Sequence, residues 1–294
     1  MNVLQAALDG IAQGALYALV AVGIALVFGV LRLVNFAYGE LITAGAYALA
    51  LTSDWPVPLS IAACLLASVA LAVLTERLAF RPLRDASPTT TLVATFAVAL
   101  ALQAVWLMAF GPNGRAGDVL GGLNTTAISG AIDVRWVTLA QLAAGGILLA
   151  GLALLLARTD MGLQMRAAAT DIRTARLLGV QADRVITVAF VLSGLLAAVV
   201  ALLLTAAEPL VTPTFGLSLT IFGLVGVVVG GMDRLVTATL GGFFIGLAQS
   251  VLGDLVGADL RVFLPSFTFA LVILVLVLRP AGLFAAPGAQ VERV

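Results

Sequence analysis

The sequence predicts an all-α, polytopic membrane protein, a bundle of about nine transmembrane helices. Of its 294 residues, 62% are hydrophobic and only 10% are charged, whereas soluble domains are about half apolar and about a quarter charged. The apolar runs are long and continuous, and a spanning helix needs about 20 such residues. Strands of a membrane barrel would instead alternate apolar and polar side chains. Most of the chain is therefore expected to be solvated by lipid, as helices.

Nine apolar segments are candidate spans, and their boundaries are compatible with a count of eight to ten. Two of the nine are short or interrupted by glycine, so they are candidates for discontinuous helices. We expect residues 1–294 to form a single transmembrane domain. The candidate spans are 11–31, 36–52, 57–80, 88–110, 136–157, 185–207, 217–232, 236–256 and 260–279.

The distribution of arginine predicts that the N-terminus is outside and the C-terminus inside. The 15 basic residues are all Arg, and basic residues concentrate in cytoplasmic loops. If residues 77–84 are cytoplasmic, alternation of the spans puts 12 of the 15 arginines on that side. The external side keeps Arg115, Arg135 and Arg261, beside a set of acidic residues that includes Asp118. The polar loop 111–135 is then external and is a candidate for a short hairpin.

Composition excludes several classes of function. The formal net charge is zero, so the chain lacks the basic surface that nucleic acid requires. Without Lys there is no Walker A loop to bind nucleotide. Without His there is no His-based catalytic triad and no HExxH zinc site. We therefore expect neither an enzyme nor a bound metal or cofactor, and no nucleic-acid partner.

Residues 158–184 form the largest predicted cytoplasmic loop, and their composition favours helix. Ala, Leu, Met, Gln and Arg, which are strong helix formers, dominate the segment. Thr170 or Asp171 can serve as the N-cap of a short helix. Gly179 stands where a glycine in the left-handed conformation would end that helix.

An apolar stripe runs along the predicted short helix. Ile172, Ala175 and Leu178 recur at intervals of three residues, while Arg173 and Arg176 project elsewhere. A helix of this kind can lie on the membrane surface. It can also dock into a groove on a soluble partner. The pattern by itself leaves both interpretations open.

Seven stretches resemble, in order and spacing, the LivH-type permeases of branched-chain amino acid ABC importers. The resemblance covers nearly the whole chain, and the set as a whole carries it, since no single stretch is decisive. It implies that the transmembrane domain is the permease domain of an importer. The stretches are Gly14–Tyr17, Asn35–Glu40, Glu76–Arg84, Met165–Asp171, Ala175–Val180, Gly241–Gly246 and Arg279–Leu283.

The resemblance gives the cytoplasmic loop a specific role. In that family the loop carries a degenerate "EAA…G" motif, whose coupling helix sits in a cleft of the ATPase subunit. Here the leading positions are Arg173, Thr174 and Ala175, two of which depart from the motif, and the glycine is Gly179. Docking on an ATPase is therefore the favoured interpretation. The implied coupling residues are Arg166, Asp171, Arg173, Ala175, Arg176, Leu178 and Gly179.

The resemblance also implies partners and a function. The expected partners are a LivM-type permease subunit, two LivG/LivF-type ATPase subunits that bind ATP and Mg, and an extracytoplasmic binding protein. The expected function is import of branched-chain or related hydrophobic amino acids across the inner membrane. Import of urea, short amides or another small polar solute, an ion-coupled secondary transporter, and a channel or scaffold are the alternatives.

Polar residues within spans are candidates for the translocation pathway, because each is costly in lipid unless it faces inward. Glu40 is the foremost. The preceding residues 35–39 are a plausible break between helices, and broken helices often border transport sites. A carboxyl group near a helix N-terminus can equally act as a cap. The pathway candidates are Asn35, Tyr38, Glu40, Gln103 and Gln249.

The C-terminal third is rich in glycine at the spacing that packs helices. Gly226/Gly230 and Gly242/Gly246 are small-xxx-small pairs, which let helix backbones approach closely in lipid. Such pairs pack helices within one chain or face a second permease subunit. The sequence leaves both open.

Overall fold

The structure is a computed structural model, and it confirms an all-α polytopic architecture. Asp118 and one of the 12 arginines predicted to be cytoplasmic, Arg293, lie outside the described residues. The orientation of the termini stays a prediction. The structure describes residues 3–84, 86–117, 119–128, 133–231, 234–256, 258–280 and 282–284.

Eleven α-helices account for most of the described residues. A turn of π-helix, Glu76–Phe80, and a 3-10 turn, Arg81–Leu83, prolong the third helix. The helices are α1 (Val3–Leu31), α2 (Tyr38–Leu51), α3 (Val57–Thr75), α4 (Pro88–Phe110), α5 (Trp136–Arg158), α6 (Asp160–Thr170), α7 (Ile172–Leu177), α8 (Ala182–Ala207), α9 (Phe215–Gly230), α10 (Leu235–Leu255) and α11 (Leu264–Leu278).

Each of the nine predicted spans coincides with a helix. Among the described residues, six helical segments are long and apolar enough to cross a bilayer by themselves, and they involve α1, α3, α4, α5, α8 and α10. Helices α2, α9 and α11 have 14, 16 and 15 residues. At 1.5 Å per residue these helices are about 21 to 24 Å long, less than the hydrocarbon thickness of about 30 Å. Three spans are therefore short, whereas the sequence predicted two short or interrupted ones. Helix α11 is shortened because a 3-10 segment, Ala258–Phe263, precedes it.

Two small antiparallel sheets lie at the end of the bundle opposite α6 and α7. Strand β1 (Arg115–Ala116) pairs with β4 (Leu210–Val211). Strand β2 (Thr126–Ile128) pairs with β3 (Val134–Arg135). The second pair confirms a hairpin within the polar loop 111–135, and the first ties that loop to the segment after α8.

Burial divides the helices into a core and a shell. Helix α1 packs against α5, α8, α9 and α10, while α2 packs between α3, α8 and α9. The most apolar stretch of α1 is 83% buried and that of α8 is 61% buried, against 11% for α4 and for α5. The exposed residues of α4 and α5 are large and apolar. These outer helices are therefore solvated by lipid or covered by another subunit.

Glycines bring α10 into close contact with α1 and α9. A Cβ atom at Gly246 would lie 2.2 Å from the Cα of Gly14, and one at Gly242 would lie 2.5 Å from the Cα of Ala18. On the other side of α10, a Cβ at Gly241 would lie 1.9 Å from the carbonyl oxygen of Gly226. Distances this short exclude any side chain. The helices therefore touch backbone to backbone.

This packing decides between the two interpretations of the glycine pairs that the sequence left open. The four glycines proposed for helix packing are all buried inside the chain, so they do not present a face to a second permease subunit. Gly226 meets Gly242, Gly230 meets Thr237, and Gly246 meets the N-terminal half of α1. The four are Gly226, Gly230, Gly242 and Gly246.

The chain's single cysteine reports on the folded state. Cys64 on α3 is fully buried, and its Sγ lies 3.5 Å from the carbonyl oxygen of Ala198 on α8. A thiol-reactive fluorescent dye will therefore label this residue only when α3 and α8 separate. Dye labelling during heating gives a melting temperature without any introduced probe.

We predict that Gly242→Val destabilises the bundle, because its side chain has no room against the backbone of Ala18. Overpacking of this kind costs about 1–3 kcal/mol. Dye labelling of Cys64 should therefore occur at a lower temperature than in the wild type. Gly146→Val on α5 is the control, since a Cβ there meets nothing within 4 Å. Equal melting temperatures for the two variants would contradict close α1–α10 contact.

Candidate functional site

The chain breaks between α1 and α2 inside the bundle. Arg32 has a φ of 55°, and Asn35 accepts a hydrogen bond from the backbone N–H of Ala37 at 3.0 Å, so the chain reverses direction within a few residues. A Cβ at Gly23 would lie 2.2 Å from the Tyr38 hydroxyl oxygen. Gly23 precedes the end of α1 by eight residues, which is about 12 Å of helix. Helix α2 therefore begins well below the end of α1.

Glu40 is buried and joins α2 to α4. Its carboxyl oxygens accept hydrogen bonds from the Gln103 side-chain amide at 3.0 Å and from the Trp106 indole N–H at 2.9 Å. Only 1% of the residue is exposed. Each hydrogen bond is worth about 1 kcal/mol net, and a buried donor left unpaired costs about 1–3 kcal/mol. The carboxyl group thus fixes the position of an otherwise exposed outer helix.

The capping alternative for Glu40 is not what the hydrogen bonds show. The N-cap position of α2 is Ala37, which has no capping side chain, and the Glu40 carboxyl oxygens bond to Gln103 and Trp106 on α4 instead. The backbone N–H of Glu40 itself bonds to the Ala37 carbonyl. Glu40 still lies in the first turn, where the helix dipole favours a negative charge.

Trp106 was missed by the sequence analysis, although a signal for it exists. Gln103 and Trp106 are three residues apart on α4, so they lie on the same helical face. A glutamine and an indole on one face of an apolar span indicate a shared acceptor elsewhere. The Tyr47 ring stacks on Phe110 at 4.1 Å between centroids, which extends this α2–α4 contact by two turns.

Three buried polar atoms on α2 and just before it have no hydrogen-bond partner among the described residues. They are the side-chain amide nitrogen of Asn35 and the hydroxyl oxygens of Tyr38 and Tyr47. Buried polar groups are nearly always paired, so unpaired ones call for an explanation. With Glu40 they make α2 the helix with the greatest concentration of pathway candidates.

Gln249 lies in a different cluster, between α10 and α1. It accepts hydrogen bonds from the Tyr17 hydroxyl at 2.6 Å and from the Gln13 amide at 3.2 Å. The Tyr17 ring in turn contacts Phe222 on α9. Four of the pathway candidates therefore lie on or beside α2 and on α4, namely Asn35, Tyr38, Glu40 and Gln103. Gln249 instead takes part in ordinary interhelical contacts. Gln13 and Tyr17 were not predicted.

The loop 158–184, predicted to be cytoplasmic, forms two helices, and Asp171 is the cap of the second. Its carboxylate accepts hydrogen bonds from the Thr174 hydroxyl at 2.5 Å and from the Arg173 N–H at 2.8 Å. The bond from Thr174, followed by backbone N–H groups, lowers the pKa of Asp171 below its usual value. Of the two predicted N-caps, Thr170 or Asp171, the structure selects the second.

Helix α7 ends as the sequence predicted. Gly179 adopts a φ of +91°, and the N–H of Val180 bonds back to the carbonyl of Ala175 at 3.0 Å. This is the hydrogen-bond pattern of a glycine that terminates a helix. A residue with a side chain would be strained at this φ.

The three residues of the apolar stripe predicted for α7 differ in burial. Ala175 is buried and Ile172 is half-buried, but Leu178 is 81% exposed and its neighbour Leu177 is 87% exposed. The helix stops at Leu177, so Leu178 leaves the helical direction that its spacing assumed. Arg173 and Arg176 are also exposed. The surface of α7 thus presents two leucines flanked by two arginines.

Helix α6 fastens this loop to the spans. Arg166 donates a hydrogen bond from Nη1 to the carbonyl of Leu156 on α5, and Arg32 donates to the carbonyl of Ala169 at 2.9 Å. Met165 and Ala168 are buried. The loop is consequently docked against α1 and α5 with only α7 projecting.

An ion-pair cluster links α7, α8 and the extension of α3. Arg84 pairs with buried Glu76 on the π-helical turn and, at 2.5 Å, with Asp183 in the first turn of α8. Asp183 also lies 3.7 Å from Arg81 and 3.7 Å from Arg176 of α7. Exposed pairs of this length contribute little, but removing one partner of a buried pair costs about 3–5 kcal/mol. Arg84–Glu76 is therefore the strong link.

These features define a class, a polytopic helical membrane protein with a short helix projecting from the loop between α5 and α8. The chain belongs to the family described as the branched-chain amino acid transport system permease component, which it matches over residues 6–278. It is accordingly a multi-pass protein of the inner membrane, as the sequence predicted.

Two relatives and one solved structure resemble the chain over nearly its whole length. The high-affinity branched-chain amino acid transport system permease protein BraD of Pseudomonas aeruginosa is 30% identical, over 99% of this chain and 98% of that protein. The LivH permease protein of the same kind of system in Escherichia coli K12 is 28% identical, over 99% and 97%. A chain of PsaBC from Streptococcus pneumoniae shares the fold, with a TM-score of 0.52 and 11% identity over 91% of this chain and 90% of that one.

We predict that Glu40→Leu lowers the melting temperature reported by Cys64, because it removes the acceptor of two part-buried donors, Gln103 and Trp106, at about 1 kcal/mol each. Trp106→Phe should lower it in the wild-type background but much less in Glu40→Leu, since the bond it removes is already absent. Trp55→Phe, an exposed tryptophan, is the control. Additive effects of Glu40→Leu and Trp106→Phe would show that the two residues do not interact.

We predict that Arg84→Met is severely destabilising, because it leaves the buried Glu76 without a counter-charge, at about 3–5 kcal/mol. Adding Glu76→Gln to Arg84→Met should recover much of that loss. Asp183→Asn, which affects only an exposed carboxylate, should cost no more than about 1 kcal/mol. Cys64 labelling compares all four proteins, and failure of the double variant to recover stability would refute the pairing.

Proposed function

We propose that the chain is the permease subunit of an ABC importer, that it translocates branched-chain amino acids inward, and that ATP hydrolysis on separate subunits drives it. The family match along residues 6–278 carries the proposal. Both named relatives are branched-chain amino acid permeases, which disfavours the urea or short-amide alternative. Membership of an ABC permease family likewise disfavours an ion-coupled secondary transporter.

The energy of ATP hydrolysis enters, in this proposal, through α7. Leu177 and Leu178 are exposed at its end, on a loop that is otherwise docked against the spans. Exposed apolar side chains at the end of a short helix can enter an apolar groove on a partner protein. We propose that these two leucines enter the cleft of an ATPase subunit, with Arg173 and Arg176 at the rim of the contact.

Motion of α7 reaches the spans by a short route. Ala175 is buried against the bundle, and Arg176 faces Asp183 at the start of α8. Through Arg84, Asp183 is joined to Glu76 on the π-helical turn of α3. A π-helical turn is frequently found at a functional site. We propose that closure of the ATPase subunits moves α8 and α3 together relative to α1.

The same proposal names the remaining components. A LivM-type permease subunit completes the passage, two LivG/LivF-type subunits bind ATP and Mg, and an extracytoplasmic binding protein delivers the amino acid. This chain binds no cofactor and hydrolyses no nucleotide, since it lacks the lysine of a Walker A loop. Helix α2, with Asn35, Tyr38 and Glu40, is the proposed edge of the passage. Glu40→Gln that assembles normally but loses uptake would support that assignment.

We predict that the double variant Leu177→Asp, Leu178→Asp loses the ATPase subunits. Truncating an interface anchor typically costs about 2 kcal/mol or more, so binding should weaken at least about tenfold. Co-purification of the tagged permease with co-expressed ATPase subunits measures this. The melting temperature from Cys64 should not change, because both side chains are already exposed.

Leu210→Asp is the matched control, an exposed leucine in β4 at the opposite end of the bundle. It should leave ATPase binding intact. Undiminished recovery of the ATPase subunits with the α7 variant would refute docking through α7. Concentrative amino acid uptake by the permease reconstituted alone would refute the importer proposal as a whole.

A further inference from the structure

An apolar groove opens at the arginine-rich end of the bundle, away from α2 and from the exposed face of α7. It lies between α1, α5, α6 and α10, and its volume is about 470 Å³. Pockets that bind small ligands span about 300–1,000 Å³. Most of the groove is lined by aliphatic side chains, such as Val22, Leu26, Leu149, Leu152 and Val236.

Two arginines line the groove, Arg166 on α6 and Arg234 immediately before α10. Both are exposed, and neither forms an ion pair with a described residue. Arg166 donates one N–H to the Leu156 carbonyl, which leaves others of its five donors available. No acidic side chain is among the described residues that line the groove. The site thus combines two positive charges with an apolar surface.

The groove is at the depth where lipid headgroups meet acyl chains. Gly29 lies two residues before the end of α1, Leu156 two before the end of α5, and Arg234 one before the start of α10. On α5 the neighbouring residues Ile147 and Leu154 are exposed. By the arginine bias this is the cytoplasmic side, where the leaflet carries anionic lipids.

We propose that this groove binds an anionic phospholipid of the cytoplasmic leaflet. Its phosphate pairs with Arg166 and Arg234, because guanidinium groups match phosphate oxygens in geometry and charge. One acyl chain lies along α1 and α5, where Gly29 leaves open space: a Cβ there would meet nothing within 4 Å.

The charge of the groove argues against the transported amino acid as the occupant. A zwitterion brings an ammonium group as well as a carboxylate, and the described lining offers no acidic side chain to receive it. An anionic amphiphile satisfies both the arginines and the apolar walls. The inference rests on the membrane-embedded architecture and does not depend on which solute the importer carries.

The lipid would also act on the coupling loop. Helix α6 forms one wall of the groove, and α7 follows it after a single residue. A phosphate bound to both arginines bridges α6 to the start of α10. The bound lipid therefore stabilises the position from which α7 projects.

Native mass spectrometry of the assembled importer, titrated with phosphatidylglycerol or phosphatidylcholine, tests the proposal. The wild type should retain phosphatidylglycerol preferentially. Each of Arg166→Gln and Arg234→Gln should weaken phosphatidylglycerol binding about fivefold, the effect of about one basic residue near a membrane surface. Both should weaken phosphatidylcholine binding less, because the choline ammonium of that lipid already offsets the charge of its phosphate. Gly29→Leu, which fills the groove, should weaken retention of both lipids at this site.

The controls are Arg77→Gln, an exposed arginine at the same end of the bundle, and Gly146→Leu, a glycine of α5 with open space around it. Both should bind phosphatidylglycerol as the wild type does. Unchanged binding in the Arg166→Gln, Arg234→Gln double variant would overturn the proposal. Displacement of the lipid by inorganic phosphate would assign the site to a free anion instead. A lipid retained by the chain alone but released on assembly would show that another subunit covers the groove.

Discussion

The close approach of α10 to α1 is the constraint on which the rest of the bundle depends. In lipid no hydrophobic effect drives helices together, so association relies on packing and interhelical hydrogen bonds. Gly14, Ala18, Gly242 and Gly246 supply the packing, because their small size lets the two backbones touch. The Tyr17–Gln249 hydrogen bond supplies the polar contact beside them. Helix α9 then closes on the opposite side of α10 through Gly226 and Gly241.

The close contact between α1 and α10 explains why α1 is the most buried of the long spans. With α10 on one side and α8 on another, α1 has little surface left for lipid. The short helix α2 completes the core only because α1 leaves space for it, and Gly23 provides that space beneath the Tyr38 ring. A bundle with a central helix must have its remaining spans outside, which is where α3, α4 and α5 lie. Their exposed apolar faces are the surfaces available to lipid or to another subunit.

Sequence patterns predicted the elements whose cause is local. The spans follow from apolar runs, the start of α7 from the capping ability of Asp171, and its end from a glycine with positive φ at Gly179. The family resemblance added the expected role of that loop. What failed were the predictions that needed three-dimensional context. Leu178 was placed on one stripe with Ile172 and Ala175 because the periodicity assumed that the helix continues, whereas the helix ends one residue earlier.

The polar residues within the spans also show what sequence patterns cannot predict, which is the partner of each residue. Sequence alone identified Glu40 and Gln103 as costly in lipid, but it could not pair them, since they are 63 residues apart and on different helices. It could not distinguish Gln249, which bonds across α1 and α10, from a residue of the passage. For the glycines, the spacing predicted that helix backbones approach each other closely, but it did not identify which helices meet. Only the fold decides that they pack within this chain.

The ionisable groups discussed above lie at two depths, at the ends of the helices and deeper in the bundle. The two sets are held by different kinds of bond. Arg84, Glu76 and Asp183 form a cluster at the end of the bundle where α6 and α7 attach. Glu40 lies deeper, satisfied by neutral donors on α4. A charge pair at the helix ends can transmit a displacement because its members belong to different elements and resist separation. A carboxyl group held by neutral donors deeper in the bundle can exchange those partners at lower cost. In the proposed importer, motion of the ATPase subunits would thus be transmitted through the strong ion pairs of Arg84. The passage would change shape at the weaker hydrogen bonds of Glu40.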